Sequence, residues 1–227
     1  MPYKKVVAIG DSFTRGDELA DCPDQIPGQP YQPLQSSNST WPALVAQNLS
    51  IDYECIAFGG RGNHRISYQV SKELQDKDLH NCLIIVNWSY FERFDYFDLE
   101  ADNWATTHPR NDNRLNHYFY KHIDSEIWNL HRNIQQIHST ITLLDSNKIE
   151  FIMTCIDPML YMKHKDVTPL QEQILHRIVN FYGYTFLEWA NHKKFPIGPG
   201  GHPLEKAHVE AAKYINMVTT EGKINGH

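Results

Sequence analysis

Four short apolar runs, Val6-Val7-Ala8-Ile9, Tyr53-Glu54-Cys55-Ile56, Leu83-Ile84-Ile85-Val86 and Phe151-Ile152-Met153-Thr154, recur along the chain with helix-length segments between them. Each is too short for a buried helix and rich enough in β-formers to read as a strand. Strands that alternate with helices build a parallel sheet covered on both faces, because each crossover must pass back over the sheet. The pattern predicts strands at 5–10, 51–57, 82–87 and 149–155, with a short one near 184–188. Helices are expected at about 40–49, 64–76, 121–146, 168–182 and 203–218. The expected fold class is α/β, a three-layer α/β/α sandwich with a parallel sheet of about five strands, flavodoxin-like in its winding.

With 227 residues, 41% of them apolar, the chain can bury one good-sized core, and no linker or shift in composition divides it. One domain over 1–227 is expected. The net charge of -6 comes with scattered rather than clustered basic residues, which argues against a nucleic-acid groove or a polybasic membrane patch. No apolar stretch reaches the roughly 20 residues of a membrane span, and the first strand begins too early for a signal peptide, so a cytoplasmic protein is expected. Cys22, Cys55, Cys82 and Cys155 show no metal or redox spacing and read as free thiols.

Two long connections stand out. Residues 17–41 hold Pro23, Pro27, Pro30 and Pro33, which exclude a helix or central strand, and residues 88–120 are dense in aromatic and charged side chains. Both leave from carboxyl ends of strands, the rim where open α/β sheets bind ligands. On that rim Gly10-Asp11-Ser12 directly follows the first strand, presenting a serine beside backbone N–H groups. Phe58-Gly59-Gly60-Arg61-Gly62-Asn63 follows the second strand, where glycines permit positive φ and let an N–H point at a developing oxyanion. Gly200-Gly201-His202-Pro203 precedes the last helix, with the proline suited to its first position and the histidine suited to accept a serine proton. His208 lies within that helix and reads as a packing or surface residue.

This order of motifs resembles the SGNH (GDSL) hydrolase family over nearly the whole chain. The resemblance implies a serine esterase or deacylase with Ser12 as nucleophile, His202 as base and Gly60 as an oxyanion donor. The family's Gly-x-Asn-Asp after the third strand is here Asn87-Trp88-Ser89-Tyr90, which puts Ser89 at the asparagine's place and leaves Asn87 in reserve. A serine hydroxyl reaches less far than an amide. The family's aspartate before the histidine is also missing, since Pro199 and Gly200 stand there. The Pro199 carbonyl, Asp157 and Glu188 are the alternatives for orienting His202, and the residues do not choose among them. Asp11, Asn63, Asn87, Trp88 and Arg93 complete the expected site as substrate-binding residues.

The reading is hydrolysis of a small acyl ester, carried on a small molecule or a carbohydrate, with no cofactor and no metal. The aromatic run Trp88 to Phe97 suits sugar rings, although half of its rings suffice for a satellite core. The competing readings are a noncatalytic ligand- or glycan-binding protein on the same fold and an acyltransferase using the same residues. A flavin or phosphate site at Ser12-Phe13-Thr14-Arg15-Gly16 leaves His202 without a purpose, and no Gly-Lys-Ser/Thr marks a P-loop.

Overall fold

The computed structural model describes residues 3–22, 35–109 and 114–220. Four parallel strands form the main sheet: β1 (Lys5–Ile9), β2 (Asp52–Cys55), β3 (Cys82–Trp88) and β6 (Glu150–Cys155), in the order β2-β1-β3-β6. Val6 pairs with Tyr53 on one side and Leu83 on the other, and Val86 pairs with Met153. Alternation along the strands then sends side chains to two separate cores. Val7, Ile9, Ile84 and Val86 pack on α3 (Asn63–Asp76) and α5 (Glu126–Ser146) through Ile66, Val70, Ile134 and Ile137. Val6, Ala8, Leu83 and Ile85 pack on α2 (Trp41–Leu49), α7 (Phe186–His192) and α8 (Glu205–Thr220). Covering both faces is what lets the central strands be apolar on both sides. The three-layer α/β/α expectation holds.

The sheet has four strands among the described residues rather than about five. The segment expected as a fifth strand near 184–188 instead opens α7, because Thr185 and Glu188 form a reciprocal capping box. A lone bridge, Met153 to Ile178, marks the edge where another strand would pair. The helix expected over about 121–146 is α5, which begins only at Glu126 because Ser125 caps it by accepting from the Trp128 N–H, and a separate α4 (Arg114–His122) precedes it. The helix expected over 168–182 is shorter. α6 (Thr168–Ile174) passes into a 3-10 turn at Leu175–Arg177, and a tight turn follows at Tyr182-Gly183, both with positive φ.

The 88–120 connection carries an antiparallel hairpin, β4 (Phe94–Asp98) and β5 (Asn103–Thr107). Phe94 stacks on Phe119 at 4.8 Å, and the Arg132 guanidinium lies over Trp128, so part of the aromatic run is a satellite core under this hairpin. Of the 17–41 connection, residues 23–34 lie outside the described residues, as do 110–113 of the second. No helix among the described residues is long and apolar enough to cross a membrane.

Candidate active site

The first strand delivers its serine through a turn with little room in it. A Cβ at Gly10 would sit 2.1 Å from Thr14 Oγ1 and 3.1 Å from the Asn87 carbonyl oxygen, so only glycine lets the chain turn there. Asp11 then caps the four-residue helix α1 (Ser12–Arg15) by accepting from the Phe13 N–H at 3.1 Å, and Gly16 at φ 90° ends it. Ser12 is left at the rim, 5% exposed.

His202 comes from a small hairpin rather than a helix entrance. Ile197 bridges Pro203, Gly198 N–H donates to the His202 carbonyl at 2.8 Å, and α8 starts only at Glu205, so Pro203 is not the first helical residue. The imidazole packs on Phe13 with ring centroids 4.8 Å apart. Its Nε2 lies 2.8 Å from Ser12 Oγ and its Nδ1 lies 2.7 Å from Glu18 Oε2. An ionised carboxylate only accepts, so Nδ1 carries the proton and Nε2 faces the serine hydroxyl as an acceptor.

Glu18 is the group that the sequence does not point to. It fills the third position, for which Pro199, Asp157 and Glu188 are the expected alternatives. Glu188 is committed to the α7 capping box, and Asp157 is buried, accepting from the Phe91 and Met159 N–H groups. Glu18 stands in the left-handed region at φ 70°, an uncommon state for a residue with a side chain, in the turn that follows α1. Burial works to raise the Glu18 pKa, but donors from Gly200 N–H (2.6 Å), the His202 ring and His202 N–H (3.1 Å) outweigh it and hold the carboxyl below its usual range. The glycines opposite make space for it. A Cβ at Gly198 would lie 2.7 Å from the carboxylate, and one at Gly200 3.0 Å. The available signals are an acid one short turn after the serine and the run Gly198-Pro199-Gly200-Gly201 beside the histidine.

In the glycine turn after β2, Gly60 adopts φ 76° with nothing within 4 Å of where a Cβ would be. Neither the Ser12 N–H nor the Gly60 N–H donates to an acceptor among the described residues. Ser89 differs from expectation. Its hydroxyl donates inward to Asp11 Oδ2 at 2.7 Å, and the residue is fully buried, so its one proton is already committed. Arg93 Nη1 reaches the same pair, 2.9 Å from Asp11 Oδ2 and 2.6 Å from Ser89 Oγ.

Four other expected substrate residues sit inside the protein. Asn63 does not cap α3. It ties Ser89 from both sides, taking its N–H at 2.7 Å and donating to its carbonyl at 3.1 Å, and it also donates to Asn133. The α3 N-terminus is capped from the hairpin instead, by Asp95 accepting from the Gly62 and Arg65 N–H groups. Asn87 is fully buried and accepts from the Thr154 hydroxyl at 2.8 Å. Trp88 is 0% exposed within the α3–α5 core, because the residue after Asn87 on a strand points to the opposite face. Asp11 is likewise buried as a cap and ion-pair partner. His208, fully buried, accepts from the Trp41 N–H at 3.0 Å and is a packing residue. No group of three or more possible metal ligands occurs among the described residues.

No protein-family description matches the chain, and no curated protein sequence does. Solved structures do. One is a member of the lipolytic G-D-S-L family from Veillonella parvula, at 15% identity and TM-score 0.52, covering 95% of this chain and 98% of that one. The psychrotrophic esterase EstA from Pseudoalteromonas matches at 9% identity and TM-score 0.53, covering 98% and 100%. A carbohydrate esterase family 2 enzyme with a carbohydrate-binding domain, from Corynascus thermopiles, matches at 13% identity and TM-score 0.52, covering 96% of this chain and 67% of that one. The chain has the fold of the SGNH (GDSL) hydrolases.

Proposed function

We infer that the protein is a serine ester hydrolase in which Ser12, His202 and Glu18 act as a triad. The observation that carries this reading is the continuous line from Ser12 Oγ to His202 Nε2 at 2.8 Å and from Nδ1 to Glu18 at 2.7 Å. In the proposed reaction Ser12 Oγ bonds to the acyl carbon, its proton passes to Nε2, and the carbonyl electron pair moves onto oxygen. The Ser12 and Gly60 N–H groups stabilise that oxyanion. On collapse the alcohol leaves with the proton from Nε2, and water repeats the sequence on the acyl-enzyme to release the acid. Glu18 holds the proton-bearing face of the ring and stabilises its charged form. The protein relies on no cofactor for these steps.

A small acyl group on a carbohydrate is the substrate we propose. The similarity to a carbohydrate esterase supports it, as do the exposed rings of Phe58, beside the Gly60 turn, and of Tyr68 and Phe97 around Trp104. Transfer to another hydroxyl uses the same residues, and product analysis with an added alcohol separates it from hydrolysis. The test of the central reading is intact mass after incubation with a fluorophosphonate, a covalent trap for activated serines. One adduct is expected on the wild-type protein and none on Ser12→Ala or His202→Ala. A folded wild-type protein that takes no adduct would favour the noncatalytic binding reading instead.

A further inference from the structure

We propose that Arg93 supplies the oxyanion donor that Ser89 does not, so that this site stabilises its transition state with a guanidinium in place of a side-chain amide. The proposal rests on the hydrolase reading above.

The position of the guanidinium is fixed by three contacts, one from each segment around the nucleophile. Nη1 lies 2.9 Å from Asp11 Oδ2 on the serine turn, 3.0 Å from the Arg61 carbonyl next to Gly60, and 2.6 Å from Ser89 Oγ at the end of β3. The group therefore stands where these three segments meet, just beyond the tip of the shortened side chain at 89. Those contacts use Nη1 alone. Nε is buried without an acceptor, whereas Nη2, which makes no bond among the described residues, is not among the fully buried atoms of this 7% exposed residue. Nη2 is therefore the donor open to an acceptor on a bound ligand.

The ion pair points the same way. Asp11 is the one carboxylate paired with Arg93 among the described residues, and it also accepts from the Phe13 N–H and the Ser89 hydroxyl. It holds the guanidinium through Nη1 and makes no bond to the other edge of the group. The ring of Tyr90, 5.0 Å from the guanidinium carbon, covers one of its faces. With an ester bound at that junction, a guanidinium favours the oxyanion over the neutral carbonyl. The neighbouring cation Arg132 braces this segment from behind, its Nη2 donating to the Phe91 and Arg93 carbonyls and to Asn129 Oδ1.

The experiment measures p-nitrophenyl acetate hydrolysis and fluorophosphonate labelling for wild type, Arg93→Lys and Arg93→Ala, each with and without added guanidinium, alongside thermal melts. Arg93→Ala is expected to lose about 100-fold or more in kcat with KM little changed, the size of effect seen when one oxyanion donor is removed. Guanidinium should restore part of that loss, and Arg93→Lys should fall between. An Arg93→Ala protein that labels and turns over within about threefold of wild type, far short of the loss of one such donor, overturns the proposal while leaving the triad standing. A loss that tracks the melting temperature and resists guanidinium also overturns it, assigning Arg93 to folding alone. A wild-type protein that neither labels nor hydrolyses removes the hydrolase reading and this proposal together.

Discussion

The two sides of Ser12 are built differently. On one side His202 and Glu18 come from loops 184 positions apart, at side-chain exposures of 16% and 11%, and are held by each other and by Gly200 N–H. On the other, Asp11, Ser89 and Arg93 are fixed at strand ends, with Asp11 and Ser89 fully buried. Loops leave a ring room to adjust. Strand ends hold an ion pair that has nowhere else to go. Variants on the first side should therefore cost activity, and variants on the second should cost stability as well.

The largest effect is expected at Asp11. Asp11→Ala strands the Arg93 charge in a buried site and removes the α1 cap, so urea unfolding should show a loss of about 3–5 kcal/mol. A loss below about 1 kcal/mol, the size expected of an exposed pair, would erase the contrast between the two sides. Glu18→Gln should lower the rate of ester hydrolysis by about 100-fold or more, with unfolding stability nearly unchanged. In the wild type this contribution belongs to the ionised carboxylate. The Glu18 pKa is lowered, so its support is present above the usual carboxylate range and lost as pH falls through the lowered value.

Two buried groups sharpen the comparison through pH. Burial raises the Asp157 pKa to about 7, against the pull of the Phe91 and Met159 N–H groups, so in this folded state the group keeps a proton that the unfolded chain releases above about pH 4. Stability from this group falls as pH rises from there to about 7. Burial lowers the His208 pKa to about 3, so the unfolded chain binds the extra proton and stability rises with pH up to about 6.5. Between about pH 5 and 6.5 the two slopes oppose each other and the wild type should be nearly flat. Asp157→Asn should unmask the His208 slope, a rise of about 2 kcal/mol over that interval by chemical denaturation. A flat Asp157→Asn profile would mean that one of the two groups is not buried in the way described. The smallest effect is expected at Gly201, where φ is 92°. Gly201→Ala should cost about 1 kcal/mol of stability and loosen His202, seen as a slower fluorophosphonate reaction.

How far the chain can be read in advance follows from the range of each interaction. The four strands are legible because short apolar runs are set by local composition. The turn that carries Ser12 is legible because Gly10, Asp11 and Ser12 act on one another over a few residues. α7 reads wrongly as a strand because a capping box at Thr185 and Glu188 outweighs the apolar character of Phe186 and Leu187. The late start of α5 is hidden for a similar reason, a serine cap inside a helix-like pattern. Ser89 falls where the sequence puts it along the chain, but the direction of its hydroxyl depends on where Asp11 and Arg93 lie, and they come from the first strand's turn and the hairpin segment.

From the sequence alone came a parallel α/β/α sandwich and a rim carrying Ser12, Gly60 and His202, because strand periodicity and turn chemistry are local properties. The tertiary structure decided that Glu18 holds the histidine and that the charge of Arg93 meets Asp11. Both depend on side chains brought together from distant segments by packing, and no spacing along the chain encodes which carboxylate arrives first.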